Sequence, residues 1–570
     1  MSAINEVEDE EKNIPLAQDK KFQEPNSKKI KCLYFITVAA VLLIVISVAV
    51  IVIFFGGKNK NSETDKNNEP CLNSSFEAIY ETYNENEDTK LFNENLIDKI
   101  SSMIIDNKTV NISNISNMYQ FDGEGKHKVV IELSEKLEST EEMFKGATNL
   151  ISIIFKNFQS ENLTTMSGMF WGCNSLTSLE FNFFNTKQVT NMSHLFYGCS
   201  SLTNISLDNF DTSNVTDMKF MFSGCRGIGS LNLKSFNTKK LKEIKYMFNE
   251  CSHLTNLEVG PDFIISGIYD LSGLFYDCNS LPKINITNFD TSETRYMNGM
   301  FSRCSKLTSI DLSKFNTGKV VDMSRMFSTC SSLTSIDLTN FDTQNVEDMH
   351  EIFATCSLIK ELNLKNFKTS KVKNMHSMFY QLISLESLDL SSFDTSQVTT
   401  MQSMFDFLYV IKKLDLSNFD TRKVTDMSYM FAANFALTSI DLSSFNTKNV
   451  KNIKNMFYGD KSLINVDFSS FDTSNVDEMT YMFYGCDSLT SLDLSSFNTS
   501  SISQFNGLFA YCHNLTYVDI SNFSSESFTY QSTFIFPERS DNGTVVFNSK
   551  IFDKNLINDI FGNWKKIDLA

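Results

Sequence analysis

Hydrophobic and polar positions in this chain repeat on two scales. Locally, Leu492 and Leu494 flank Asp493, the apolar–polar alternation of a strand with one buried face. Over a longer range, the phenylalanine of an F-[DN]-T signature or a variant of it recurs. It falls at Phe158, Phe184, Phe210, Phe236, Phe263, Phe289, Phe315, Phe341, Phe367, Phe393, Phe419, Phe445, Phe471, Phe497 and Phe523. Every step is 26 residues except one of 27, from Phe236 to Phe263. A second signature, M-F or a close variant, keeps the same beat from Phe144 and Phe170 to Phe483 and Phe509. A fixed period of this size predicts a solenoid or array rather than a set of ordinary domains.

One unit shows why. From Cys486 the chain reads C-D-S-L-T-S-L-D-L-S-S-F, so Leu489, Leu492 and Leu494 form L-x-x-L-x-L. Leu492 and Leu494 point inward and Asp493 outward. The phenylalanine turns a corner, and the D-T or N-T after it is turn chemistry. N-V-x-x-M then gives a second extended piece, with Val476 and Met479 inward. Asp or Asn precedes that methionine at Asp217, Asp322, Asp348, Asp426 and Asn452, a position that predicts a cap for a helical turn. The turn is M-S-x-M-F-x-G-C, ended by a glycine such as Gly485 in the left-handed conformation. A coil of this kind covers its apolar residues only against its neighbours. The expected fold is an α/β repeat solenoid with parallel strands, extending roughly 70 Å for fifteen coils. G-P-D at Gly260–Asp262 and the missing G-C turn at 406–411 are expected kinks or local weak points.

The fuller pattern N-V-T-D-M-x-x-M-F-x-G-C-x-S-L-T-S-L-D-L-S-S-F-[DN]-T-S resembles the 26-residue surface-protein repeat of BspA-like leucine-rich proteins, over about residues 140–536. The resemblance implies a leucine-rich-repeat-like solenoid at a cell surface, with protein or matrix binding and adhesion as its role. It implies no catalytic residue.

The ends differ from the repeats. Leu33–Phe55 is 23 uncharged residues, long enough to cross a bilayer as one helix. It is longer and later than a signal-peptide core, so it reads as an uncleaved signal anchor. Lys20, Lys21, Lys28, Lys29 and Lys31 precede it and Lys58, Lys60 and Lys66 follow. This bias puts the N-terminus inside and the solenoid outside, at the plasma membrane. Residues 1–32 read as a disordered cytoplasmic tail, 56–70 as a flexible stalk, 71–139 as an N-terminal cap region and 537–570 as a C-terminal cap. Helical spacing is expected at 91–104 and in NLINDIFGNWKK. An outside solenoid makes the N-x-[ST] sequons candidate glycosylation sites. They are Asn73, Asn107, Asn111, Asn114, Asn162, Asn191, Asn204, Asn214, Asn285, Asn498, Asn514, Asn522 and Asn542, although an Asn/Ser/Thr-rich repeat also makes sequons by accident.

The net charge of −18 disfavours nucleic acid and direct docking on anionic lipid. Part of it is ordered. Asp389, Asp415, Asp441, Asp467, Asp493 and Asp519 hold one outward strand position in six consecutive coils, continuing Asp311 and Asp337. This column is either a solvated face that suppresses sheet aggregation or a binding face for a basic partner. For Ca²⁺, which takes six to eight oxygens, one carboxylate per coil is a thin supply.

Ten of the twelve cysteines share one repeat slot: Cys173, Cys199, Cys225, Cys251, Cys278, Cys304, Cys330, Cys356, Cys486 and Cys512. Ala147, Leu382, Leu408, Asn434 and Asp460 fill it elsewhere. The ladder is either a set of small buried hydrophobes or, outside the cell, a series of disulfides between adjacent coils. Cys32 stands at the inner membrane boundary, a palmitoylation candidate, and Cys71 in the stalk region, a candidate intermolecular bridge. His350 and His376 occupy equivalent slots in neighbouring coils, a surface coincidence more readily than a metal site. G-x-S-x-G, H-E-x-x-H, P-loop and C-x-x-C motifs are absent, and no cofactor is expected. The chain reads as a non-enzymatic surface protein that binds macromolecules. A structural coat, or a receptor recruiting partners through its tail, is the alternative.

Overall fold

A computed structural model describes residues 74–570 except 86, 183, 503–505 and 525–542. Leu33–Phe55, the tail, the stalk, Cys32, Cys71, Asn73 and Asn542 lie outside the described residues. Within the described residues no helix is long and apolar enough to cross a membrane.

The repeats wind into a parallel β-solenoid. Isolated parallel bridges step by one repeat from Ser139 to Thr165, Asn191, Asp217 and Glu243, and again from Asp270 to Glu478. The break falls at the 27-residue step. There Gly260 passes so close to the backbone of the preceding coil that a Cβ would stand 2.2 Å from the Lys234 carbonyl oxygen. The L-x-L segments pair in parallel over two to four residues, as in Ser230–Leu233 with Asn256–Val259 and Ser491–Asp493 with Tyr517–Asp519.

The M-S-x-M-F-x-G-C segment is not the expected helical turn. It is three successive β-turns, closed by Met169 N–H to Met166 O (3.2 Å), Trp171 N–H to Gly168 O (3.0 Å) and Cys173 N–H to Phe170 O (3.1 Å). The N–H groups between them point forward to the next coil. Met166, Gly168, Phe170 and Gly172 donate to the carbonyls of Asn191, Ser193, Leu195 and Tyr197 at 2.7–3.0 Å. Each backbone donor is therefore satisfied, alternately within the coil and across it. This route requires left-handed residues at two places per coil. Gly168 and Gly172 supply them in one, whereas His194, Phe220, Tyr246 and Arg325 adopt φ of 56–57° in others. The coil at 406–411 keeps Phe407 in the left-handed region, but its third turn differs: Leu408 N–H donates to the Asn434 side chain one coil on, at 2.9 Å.

Asp217, Asp322, Asp348, Asp426 and Asn452 cap no helix. Each accepts the backbone N–H two residues on, at 2.8–3.0 Å, closing an Asx turn.

The core is columnar. Met166, Met169, Phe170 and Cys173 are fully buried, and their counterparts along the stack are buried among the described residues. The M-F rings stack from Phe144 through Phe170, Phe196 and Phe222 to Phe509, and the Phe170–Phe196 centroids are 5.8 Å apart with the rings 7° from parallel. The threonine of F-[DN]-T forms a second column. Buried Thr343 donates to Lys368 O (3.0 Å) and accepts Lys368 N–H (2.7 Å), tying two coils with one hydroxyl.

At the N-terminal end, Ser75–Thr82 pairs antiparallel with both Gly125–Leu133 and Leu150–Phe155. Residues 91–104 are not one helix: a 3₁₀ turn, Glu94–Lys99, leads into the strand Ile100–Ile105. At the other end the helix Lys554–Phe561 precedes the strand Lys565–Asp568, which pairs in parallel with Thr544–Phe547. Among the described residues this helix is the one α-helix, so the repeats themselves are β-strand and turn rather than α/β.

Candidate binding surface

The acidic column stands where the strands place it. Asp493 and Asp519 are partners in a parallel pair, and Asp389, Asp441 and Asp467 directly follow paired strands. All six are exposed except Asp519, which is half-buried. Each gives one carboxylate oxygen to the backbone N–H two residues on, from Ser391, Ser417, Ser443, Ser469, Ser495 and Ser521, at 2.9–3.1 Å. Hydrogen bonds from the following serine hold Asp389, Asp415, Asp441 and Asp467 below the usual carboxylate range. At Asp415 this prevails against the repulsion of Asp441 and Asp389. The column is thus a charged face in which one oxygen per residue is engaged in its own turn. Among the described residues no three His, Cys, Asp or Glu side chains converge to hold a metal.

The ten repeat cysteines are free and fully buried. Each thiol reaches a phenylalanine carbonyl of the preceding coil, as Cys199 does that of Phe170 at 3.2 Å. Burial pushes the Cys251 and Cys356 thiols up to about 12. Of the histidines, His350 pairs with Asp348 at 2.7 Å, and His376 lies 4.0 Å from Glu351.

The sequons separate by environment. Asn107, Asn111, Asn114, Asn162, Asn204, Asn285 and Asn522 are exposed. Asn214 and Asn514 donate their side-chain amide to Lys187 O and Asp487 O. Asn191 and Asn498 are half-buried and close Asx turns.

The turn segments carry a surface that the sequence reading did not single out. Trp171 stacks on His194 (4.8 Å), His194 on Phe220 (5.0 Å) and Phe220 on Tyr246 (5.1 Å). Further along, Tyr458 stacks on Tyr484 (4.7 Å), which meets Tyr511 (4.9 Å). The signal was present: all but Tyr511, which replaces the glycine before Cys512, fill the variable letters of M-S-x-M-F-x-G-C, where the repeat does not dictate the residue.

A family described as Mycoplasma protein of unknown function, DUF285, matches in overlapping segments, 73–180, 113–204, 177–260, 261–361, 328–439, 351–463 and 432–544. The chain belongs to the DUF285 family. No curated protein matches it. Among solved structures, this DUF285 chain is similar to the functional domain of InlJ from Listeria monocytogenes, whose title records a cysteine ladder. The identity is 14%, over 74% of this chain and 68% of that one, with a TM-score of 0.20. It is also similar to TLR13 in a complex with ssRNA13, at 14% identity over 68% of this chain and 80% of that one, with a TM-score of 0.15.

Proposed function

We propose that this DUF285 protein is a BspA-like, leucine-rich-repeat-type surface protein, anchored by Leu33–Phe55, whose extracellular solenoid binds macromolecular partners in adhesion or cell-surface recognition. The observation that carries the reading is the one-repeat register. It converts each surface letter of the repeat into a column, so that a contact made once is made again one coil on. Linked weak contacts add to a strong one without any deep pocket. The acidic column Asp389–Asp519 is the proposed contact for a basic segment of a protein or matrix partner, through the oxygens its turns leave outward.

The test is binding of the full chain, displayed on cells, to immobilised matrix proteins. Charge reversal of Asp415, Asp441 and Asp467 to Lys is expected to abolish saturable binding and its salt dependence. Unchanged binding would overturn the role of this face. A second reading, a structural coat without a specific ligand, draws on the commitment of each of these carboxylates to its own Asx turn. It predicts no saturable binding at all.

A further inference from the structure

The first left-handed position of the turn segment bears a side chain in most coils, Tyr246 and Arg325 among them. It is glycine at Gly168 and Gly507, and in two adjacent coils at Gly273 and Gly299. The two glycines meet different fates. The Tyr246 ring lies over Gly273, where a Cβ would stand 2.0 Å from it. No ring falls across Gly299 in the same way: a Cβ there would meet Tyr276 Cδ2 at an ordinary contact distance of 3.4 Å. The result is a cavity of about 210 Å³, floored by Gly299 and walled by Tyr246, Tyr276, Asn249, Asn298, Ser324 and Arg325.

We propose that this notch binds one neutral pyranose ring of a glycan. Its volume lies below the roughly 300–1,000 Å³ of pockets for larger ligands, which suits a single ring. Tyrosine rings offer a flat apolar surface to the C–H face of a sugar. Two amides and a hydroxyl offer both donors and acceptors to neighbouring sugar hydroxyls. The groups are set in advance. The Ser272 hydroxyl lies 2.5 Å from both the Asp270 carboxylate and the Asn298 side chain, Asn298 also bonds Tyr246, and the Arg303 guanidinium lies over the Tyr276 ring, 6.0 Å from its centroid. The one cation in the wall is already matched, because Arg325 Nε and Nη2 donate to the two Glu351 oxygens at 3.0 and 2.8 Å. That neutrality selects against an acidic ligand. A peptide strand is disfavoured too, since the Gly273 and Gly299 N–H groups are taken by Asn298 O and Ser324 O, leaving no free edge. This site is on the turn segments, apart from the acidic column, and stands or falls independently of it.

The test is saturation-transfer NMR on the purified full chain in a sugar-free detergent. The probes are methyl α-D-mannopyranoside, methyl β-D-galactopyranoside and methyl N-acetyl-β-D-glucosaminide. Transfer to the ring protons of at least one is expected. Gly299→Asn fills the floor with a residue the same repeat position already accepts at Asn455, φ 56°, and is expected to weaken binding by at least about tenfold with unchanged melting. Tyr276→Ala is expected to do the same. Lys substitutions in the acidic column are expected to leave this transfer unchanged. No transfer from any of the three, or equal transfer in both notch variants, would overturn the proposal. Transfer from methyl glucuronide alone would overturn the neutral-ring assignment.

Discussion

The Asp460 carboxylate accepts the backbone N–H of Asn434, one coil away, at 2.7 Å, inside a core column that holds cysteine in ten other coils. Its second oxygen has no protein partner. Among the described residues the buried side-chain oxygens and nitrogens without one are Asp406 Oδ1, Asn455 Oδ1, Asp460 Oδ2 and Thr480 Oγ1, all between residues 406 and 480. Burial raises Asp406 to about 8, and burial with the nearby Asp406 charge raises Asp460 well above the carboxylate range. Tyr380 faces Asp406, and Cys486 faces Asp460.

A pH dependence follows. The folded state keeps protons on these carboxyls that the unfolded chain releases above about pH 4. Stability from this source is complete below that pH and falls as pH rises toward the raised folded values. Melting temperature is expected to drop between about pH 5 and pH 8, and Asp406→Asn with Asp460→Asn to flatten the drop. A double variant as steep as the native chain would contradict this.

Thr343→Val keeps the shape of a buried side chain but removes a hydroxyl that both donates to and accepts from the Lys368 backbone. Leaving that amide and carbonyl unpaired is expected to cost about 1–3 kcal/mol, read as a lower chemical-denaturation midpoint. The exposed Thr308→Val serves as control, and equal effects would refute the bridging role.

Thiol alkylation tests the cysteine ladder. The buried repeat thiols are expected to be inert in the folded chain, and all ten to react once it is denatured without reductant. Fewer than ten repeat thiols recovered would show that adjacent coils are joined by disulfides.

Glycosylation should follow exposure. Asn204 is open, whereas the Asn214 amide is bound to Lys187 O at 2.8 Å. Asn204→Gln is expected to remove one glycan by gel shift and Asn214→Gln none. The reverse pattern would contradict the assignment.

The period, the phenylalanine and methionine core and the strand alternation were legible because the same letters recur at each coil. The turns were misread for a physical reason. Met166, Met169, Phe170 and Cys173 have the i, i+3, i+4, i+7 spacing of a helix face, and all four are buried. Yet alternate N–H groups leave for the next coil, which periodicity within one unit does not reveal. Gly168, Gly172 and Gly198, each with positive φ, were the local clue. The notch was illegible because it arises from two missing side chains and one ring that falls across the first of them.

The measurement that most directly tests the central claim is the accessibility of a C-terminal epitope tag on intact cells, with glycosidase digestion in parallel. Antibody labelling without permeabilisation is the predicted result, because it places the solenoid outside the membrane that Leu33–Phe55 is proposed to cross. Labelling only after permeabilisation, with no glycosidase shift, would put the solenoid in the cytosol and contradict the surface-binding account.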